Sequence, residues 1–528
     1  MKNAFKYMMM IVFVLGAISC TDLEEEIKGD FTQDFDPANQ GVGTKNNVNK
    51  PTPSDGLSSA FSRLLNGSAN HGSYFSSQEI SSDEAVITQK GGDWFDGGIW
   101  LVMHKHQFAA SGLGGINGAW SDTYGGIFQC NELLKTGGLD AAGTAQIRML
   151  RAYFYWRLLD MFGRVKIVTE PGVDAPQSTR VEVYNFVESE ILAALPNLPA
   201  GKAAYGRTNQ AAANGILSRL YLNAKVYKGL AAHDPADLDK AIAAADAVIN
   251  SGVYNLAASY ANLFAPDNAE DKGSDPAGQK VSDELIWIIP YDEATGTGMN
   301  FAQMTLHYPS QLTYRLAQQP WNGYSTLEAF YNSYAATDVR RANNFIVGPQ
   351  TDVNGSPILD LAFDKADPDG AEINYTPAIN ELAPNGSRQA GARLGKFSFK
   401  IGQNPDMDND YPVIRYAEVL LNKAEALARK NGFGDATALG LVNQVRARAS
   451  ASAYTSLTEG ELLAERGREF FQESLRRTDL IRFGAWGNAW WEKPAHSDAF
   501  KNVFPIPFEQ IQAASTSTFT LTQNPGYN

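Results

Sequence analysis

Residues 120–163 read WSDTYGGIFQCNELLKTGGLDAAGTAQIRMLRAYFYWRLLDMFG, and this stretch decides the fold class. In its first half, side chains recur every three or four residues and form one stripe on a helix. They are Trp120, Tyr124, Ile127, Asn131 and Leu134. Gly137 and Gly138 end that helix, and a second helix is predicted over residues 144–162, with Gly163 as its stop signal. The stretch therefore predicts two consecutive helices joined by a short glycine turn.

Further helices are predicted on both sides of a long irregular segment. Three follow the opening pair, over residues 181–195, 209–227 and 237–249, and three more over residues 413–428, 436–449 and 459–471. Paired helices of this length predict a mainly α, tetratricopeptide-like helical scaffold, with repeats over about 115–252 and 413–475. A nonrepetitive helical bundle is the alternative, because no strict 34-residue period is visible.

Residues 253–412 lack helical periodicity and are rich in Gly, Pro, Asn and Asp. Only short apolar runs such as residues 285–289 suggest strands there. Since loops this long in a compact protein are usually functional, we predict a loop-rich, ligand-binding half in this segment. In the last predicted helix, Glu465, Arg466, Arg468 and Glu469 are expected to form surface ion pairs.

Length and composition exclude several classes of protein. A chain of 528 residues exceeds the usual single core of about 250 to 300 residues, so several domains, a repeat array or a domain with large insertions is expected. The net charge of -14 argues against nucleic acid as a partner, because phosphate binding needs a basic surface. Two cysteines, Cys20 and Cys130, are too few for a disulfide framework or a cysteine zinc site.

The amino terminus has the pattern of an export leader. Lys2 and Lys6 precede an apolar run that is too short to span a bilayer and stops at Cys20, just before an acidic stretch. We predict a lipoprotein signal peptide over residues 1–19, an acylated Cys20 and a flexible tether over residues 20–53. An ordinary signal peptide cut near Ala17 or Ser19 is the alternative.

Motifs of catalysis and metal binding are missing from the sequence. No His-Glu-x-x-His, Gly-x-Ser-x-Gly or Walker pattern occurs, and His104-x-His106 has no third ligand nearby. Asp367–Asp369 and Asp406-x-Asp408-x-Asp410 resemble fragments of calcium loops without the downstream Glu. The missing motifs are mild evidence against an enzyme, and we predict no enzyme activity, no catalytic residue and no cofactor. We assign no metal site, and a structural calcium ion stays open as an alternative. A glycoside hydrolase stays open as an alternative, because its carboxylate pair is defined by distance in space.

Two aromatic segments have the residue types that recognise sugars. One is GGDWFDGGIW (91–100), which holds Asp93, Trp94, Asp96 and Trp100; the other is YPSQLTY (308–314) with PWNGY (320–324), which holds Tyr308, Trp321, Asn322 and Tyr324. Aromatic faces stack on the C–H face of a pyranose, while carboxylates and amides bind its hydroxyls. We predict Trp94 and an exposed Tyr324 as stacking platforms, and Asp93, Asp96 and Asn322 as hydroxyl partners. Trp100, Tyr308 and Trp321 are predicted as further ligand-binding residues. Burial of the rings in the core is the alternative.

Several motifs, in this order along the chain, resemble the SusD/RagB family of outer-membrane nutrient-binding lipoproteins. They are LRAYFY (150–155) leading to Phe162-Gly163, GRTN (206–209), RYAEVLL (415–421), RGREF (466–470), RTDLIRFG (477–484), PIP (505–507) and QNPGY (523–527). The resemblance covers nearly the whole chain after the leader. It implies a single domain over residues 54–528, with a tetratricopeptide-like helical part and a loop-rich ligand-binding insert over about 253–412.

The resemblance also implies a function and an address. Family members of this kind are anchored by lipid to the outer face of the outer membrane, cap a TonB-dependent SusC-like transporter and pass oligosaccharides to it. Trp94 falls where an aromatic of the starch-binding member's site is expected, and Tyr324 where another, a tryptophan, would lie. We therefore expect a noncatalytic protein that binds an oligosaccharide or polysaccharide. A peptide-binding member and a protein-interaction scaffold are the alternatives.

Overall fold

The computed structural model describes residues 55–112, 114–266, 268, 281–296, 298–361 and 370–527, which belong to one compact unit. The predicted leader, Cys20 and the whole tether lie outside these described residues, as do Asp367–Asp369. Within the described ranges, no helix is both long enough and apolar enough to cross a membrane.

Within the same ranges, eight helices of 12 or more residues form the scaffold. They are α1 (Gly114–Thr136), α2 (Ala141–Met161), α3 (Arg180–Ala194), α4 (Gln210–Leu222), α5 (Pro235–Asn250), α6 (Tyr416–Asn431), α7 (Ala436–Arg448) and α8 (Glu459–Phe470). Helices that follow each other in the chain pack together, and α6 returns to pack on α4 and α5. The prediction of a mainly α, tetratricopeptide-like fold is confirmed.

The first two helices pack closely because α1 has a glycine at the contact. A Cβ atom on Gly126 would lie 2.4 Å from the ring of Phe154 in α2, so any larger residue would push the helices apart. The side chain of Asp140 begins α2 by accepting a hydrogen bond from the Gly143 amide at 2.7 Å. The helix pair is therefore specified by a glycine contact and an N-cap.

Short strands, most of them in the loop-rich segment 253–412, form pairs between separate parts of the chain. The strands are β1 (Ala85–Ile87), β2 (Leu285–Ile289), β3 (Tyr324–Thr326), β4 (Phe345–Ile346), β5 (Gly348–Pro349), β6 (Asn374–Tyr375), β7 (Arg393–Leu394) and β8 (Tyr411–Arg415). They form four antiparallel pairs: β1 with β3, β2 with β8, β4 with β7 and β5 with β6. The strand predicted at residues 285–289 is confirmed.

Shorter helices and 3₁₀ turns occur between these elements, along with turns and irregular segments. The α-helical ones are Ser58–Phe61, Leu65–Ser68, Tyr74–Ile80, Ile99–His104, Ala224–Tyr227, Phe301–Thr305, Gln311–Tyr314, Glu328–Asn332, Val339–Asn344, Arg476–Arg482 and Phe508–Ala514. The 3₁₀ turns are Ser62–Leu64, Asp96–Gly98, Leu195–Asn197, Ala261–Phe264, Val281–Asp283, Tyr308–Ser310 and Ala499–Asn502.

The start predicted for α6 at residue 413 is wrong. Residues 411–415 form strand β8, which is buried along its whole length and pairs with β2, and the helix begins at Tyr416. The apolar residues Val413 and Ile414 fit either a helix face or a buried strand, and only the distant partner decides between them.

The prediction of surface ion pairs in α8 is also wrong. Glu465 and Glu469 have no exposed surface, and the arginines between them are buried as well. Arg340 donates to both carboxylates at 2.8 Å, and Arg415 donates to Glu469 at 2.6 Å. Burial alone would raise the pKa of Glu469, but the arginines around it hold that pKa well below its usual range. These charges form a buried network because partners from other elements surround α8.

Candidate functional site

The two aromatic segments meet because β1 pairs with β3. Ile87 at the end of β1 lies opposite Tyr324 at the start of β3, so the loop that leaves β1 lies beside the loop that enters β3. The buried ammonium of Lys90 in the first loop donates to the carbonyl of Gly323 in the second at 3.1 Å. A pairing over more than 200 residues of chain therefore brings together the two segments that the sequence singled out.

The first loop makes a tight turn that is held by its own backbone hydrogen bonds. Lys90 and Asp93 exchange backbone hydrogen bonds of 3.0 and 3.1 Å. Trp94 and Asp96 adopt positive φ angles of 59° and 43°, and the following glycines do the same. Asp93 and Asp96 are exposed, and the ring of Trp94 is half-buried.

The second loop is fixed by backbone hydrogen bonds to the short helix Phe301–Thr305 and the residue after it. The amides of Trp321, Asn322 and Gly323 donate to carbonyls of residues 303, 306 and 304, at 2.7, 2.9 and 2.9 Å. Trp321 stays 37% exposed, and its carbonyl accepts a hydrogen bond from the Trp94 indole Nε1 at 2.6 Å. The two tryptophans are thus linked across the junction of the loops.

Between the loops lies an open cavity of about 520 Å³. Its lining residues are His71, Asp93, Trp94, Asp96, Tyr308, Gln319, Pro320 and Trp321. Five of these residues were singled out from the sequence. A larger cavity of about 680 Å³, where the ends of α6 and the helix Arg476–Arg482 meet, has no tryptophan or tyrosine in its lining.

The carboxylates on the cavity wall are oriented by aromatic donors. The Tyr308 hydroxyl donates to Asp93, and the Trp100 indole Nε1 donates to Asp96 Oδ2 at 2.6 Å. Trp100 itself is only 2% exposed, so it supports Asp96 from behind. Each carboxylate keeps its second oxygen outside these two bonds.

Three sequence predictions about this site are wrong. Trp100, predicted as a ligand-binding residue, is only 2% exposed and does not line the cavity. Tyr324 has no exposed surface: its ring lies in β3, and its hydroxyl is 2.9 Å from His71 Nδ1 and 2.7 Å from Ser76 Oγ. It therefore holds His71 and cannot stack on a ligand. Asn322 is also fully buried, so it is not a hydroxyl partner, and its φ of 58° is the feature that suits asparagine at this turn.

His71 and Gln319 were missed by sequence reasoning, whereas Pro320 belongs to the predicted segment PWNGY (320–324) without being one of its predicted site residues. The His71 ring centroid is 5.2 Å from that of Trp94, 4.7 Å from that of Trp100 and 6.2 Å from that of Trp321. Burial lowers the pKa of His71 to about 4, although the negative charge of Asp96 acts to raise that pKa. The imidazole is therefore neutral at pH 7. A lone histidine in an Asn-His-Gly turn gave no signal, because its neighbours in the cavity are distant in the chain.

Comparison with known proteins identifies the family. The model of the SusD family matches residues 283–527, and a second model, described as starch-binding and associating with the outer membrane, matches residues 82–222. This chain belongs to the SusD family. SusD family members are binding proteins, so this protein is a binding protein and not an enzyme. The family is associated with the outer membrane.

Individual SusD relatives agree with this assignment. The chain is 29% identical over 450 residues to the starch-binding protein SusD of Bacteroides thetaiotaomicron, covering 76% of each chain. It is 25% identical to a SusD-like protein of Bacteroides ovatus, covering 69% of this chain and 65% of that one. The fold is similar to a laminarin binding SusD-like protein, with a TM-score of 0.68 at 22% identity, over 89% of this chain and 98% of that one. It is also similar to surface glycan-binding protein A of Bacteroides thetaiotaomicron in complex with laminarihexaose, with a TM-score of 0.66 at 20% identity, over 89% and 98% of the two chains.

The histidines and aspartates that first suggested metals have other partners in this SusD family member. His104 Nε2 lies 2.8 Å from the carbonyl oxygen of Trp491. The ring of His106 stacks on that of Trp486, with 3.8 Å between the ring centroids. Lys400 donates to Asp408, and Tyr205 donates to Asp410 at 2.7 Å. Among the residues that the structure describes, no group of three or more His, Cys, Asp or Glu side chains is placed to hold a metal ion.

Proposed function

We propose that this protein captures oligosaccharides at the cell surface and delivers them to a partner TonB-dependent, SusC-like transporter in the outer membrane. It would be held on the outer face of that membrane by a lipid on Cys20, at the end of a tether over residues 20–53. Residues 54–528 would act as one SusD-like domain.

The observation that carries the proposal is the cavity between the two tryptophan loops. Trp94 and Trp321 offer aromatic surface, and Asp93, Asp96 and Gln319 offer hydrogen-bonding groups on the same wall. Sugar sites combine these features, because a pyranose has both an apolar C–H face and a ring of hydroxyls. The names of the starch-binding and laminarin-binding relatives agree with a glycan as the ligand.

The site is open to solvent, which suits transient capture. Affinities between about 1 mM and about 1 μM are expected, or about -4 to -8 kcal/mol. The effective affinity for a polysaccharide would rise further because one chain can make several contacts and because the ligand is handed over to the transporter.

Isothermal titration of the soluble chain beginning at Thr21, against a panel of oligosaccharides, tests the proposal. We expect saturable binding that is lost in Trp94→Ala and Trp321→Ala, with both variants still folded in thermal melts, because both rings lie on the wall of an open cavity. Phe508→Ala is the matched control, since Phe508 is a 50% exposed aromatic that does not line the cavity. If no sugar binds, the proposal fails and a peptide ligand or a protein scaffold becomes the better interpretation. If the membrane fraction keeps this protein after Cys20→Ser, the lipid anchor is refuted.

A further inference from the structure

The charges around the glycan cavity point to a class of ligand. Its lining contains two carboxylates, Asp93 and Asp96, and no Lys or Arg among its described residues. Lys90, the lysine of the first loop, is buried, and its ammonium donates to the carbonyls of Thr88 and Gly323 at 3.2 and 3.1 Å. A ligand in the cavity therefore meets negative charge without a compensating cation.

The histidine in the lining does not change this balance. Neutral at pH 7, His71 contributes no positive charge. Its Nδ1 is engaged with the Tyr324 hydroxyl at 2.9 Å. The imidazole is therefore an aromatic wall of the cavity and not a counter-ion for an acidic sugar.

Hydrogen bonds inside the protein further restrict what the cavity can offer. The indole N–H groups of Trp94 and Trp100 donate to Trp321 and Asp96, and Tyr308 donates to Asp93. The second oxygens of the two carboxylates are acceptors only, so they pair with donors such as sugar hydroxyls. Carboxylate and sulfate groups on a sugar are acceptors as well, and their recognition normally requires arginine or lysine.

We propose that this site selects uncharged, hydroxyl-bearing glycans and rejects uronate-containing or sulfated ones, with Asp93 and Asp96 as the residues that determine this specificity. The inference rests on the proposed glycan-binding function. Discrimination arises from repulsion of the wrong ligand as much as from attraction of the right one. The net charge of -14 on the whole chain also repels negatively charged glycans, at longer range.

The test compares glycans that share a backbone and differ in charge. Laminarin is paired with laminarin sulfate, and amylose with carboxymethyl amylose, in affinity electrophoresis and isothermal titration of the soluble chain. We expect the neutral member of at least one pair to bind, and its charged derivative to bind at least about tenfold more weakly at low salt. Raising NaCl from about 50 mM to about 500 mM should reduce the difference in affinity between the neutral glycan and its charged derivative, because salt screens exposed charges.

A pair of double variants separates local charge from net charge. Asp93→Asn with Asp96→Asn should reduce the ratio of neutral to charged affinity by about tenfold, since asparagine keeps an acceptor oxygen and loses the charge. Asp239→Asn with Asp246→Asn removes the same net charge on helix α5, outside the cavity lining, and should leave the ratio unchanged.

The outcomes distinguish this inference from the function on which it rests. Binding of a sulfated or carboxymethylated glycan as tightly as its neutral parent would overturn the charge selection and leave glycan binding intact. If the ratio of neutral to charged glycan affinity falls equally in both double variants, the selection comes from net charge. That result would refute Asp93 and Asp96 as the residues that determine it. No binding to any glycan, neutral or charged, would overturn the proposed function and the inference together.

Discussion

Gly323 shapes the wall of the candidate cavity because the Trp94 ring packs directly against it. A Cβ atom at this position would lie 2.3, 2.5 and 2.7 Å from three atoms of the Trp94 ring. Carbon atoms normally stay about 3.5 to 4.0 Å apart, so the ring in Gly323→Ala must move by roughly 1 Å or more. That movement would break the 2.6 Å hydrogen bond from Trp94 to the carbonyl of Trp321.

These contacts give the expected loss of stability and of glycan affinity in Gly323→Ala. Overpacking costs about 1–3 kcal/mol when neighbours cannot move, and a lost hydrogen bond costs about 0.5–1.5 kcal/mol. Because the Trp94 ring is half-buried at an open cavity, it can swing aside. We therefore expect a stability loss of at most about 3 kcal/mol and a loss of glycan affinity of about tenfold or more, similar to that of Trp94→Ala.

The assay combines urea denaturation, tryptophan fluorescence and isothermal titration. Gly92→Ala is the matched control, because it lies in the loop of Trp94 and a Cβ atom there has no neighbour within 4 Å. It should keep both wild-type stability and wild-type affinity. Wild-type affinity and fluorescence in Gly323→Ala would refute the reasoning, because the ring could not then be packed against residue 323.

Three further predictions concern stability. Burial raises the pKa of Glu79 to about 7 and also raises the pKa of its neighbour Glu84. Protonated Glu79 therefore contributes its full stability to the fold below pH 4.5, the ordinary pKa of the side chain, and this stability is lost as the pH rises through about 7. In thermal melts between about pH 5 and about pH 8, Glu79→Gln should therefore lose less stability on going to high pH than the wild type does; parallel curves would contradict this. Glu469→Ala should cost about 3–5 kcal/mol in urea denaturation, because buried arginines lose their partner; a cost below about 1 kcal/mol would contradict the buried network. Gly126→Ala should cost about 1–3 kcal/mol by the same method, whereas Gly125→Ala, whose Cβ would meet no neighbour, should not destabilise the protein; equal effects would refute the close helix contact.

Much of the fold could be predicted from the sequence because helices are encoded locally. The glycine turn after α1 and the apolar spacing in α1 and α2 lie within one short stretch. The same holds for the residue types of the candidate site, because Trp94 and Trp321 each lie close in the chain to a glycine and a polar side chain.

The predictions that failed depend on contacts between distant parts of the chain. Residues 411–415 could form a helix or a strand, and pairing with β2 made them a strand. The charges of α8 have the spacing of an exposed helix, but Arg340 and Arg415 arrive from elsewhere and bury them. Tyr324 follows a glycine turn, and pairing of β3 with β1 turned its ring inward.

The sequence by itself determined the helical scaffold, the absence of known catalytic motifs and the residue types available for binding a sugar. Only the tertiary structure decided which of those residues share a cavity, that His71 joins them, and that Trp100 and Tyr324 support the site from behind. The physical reason is that helix periodicity and turn chemistry act over a few residues, whereas the cavity depends on one antiparallel pairing between β1 and β3, more than 200 residues apart.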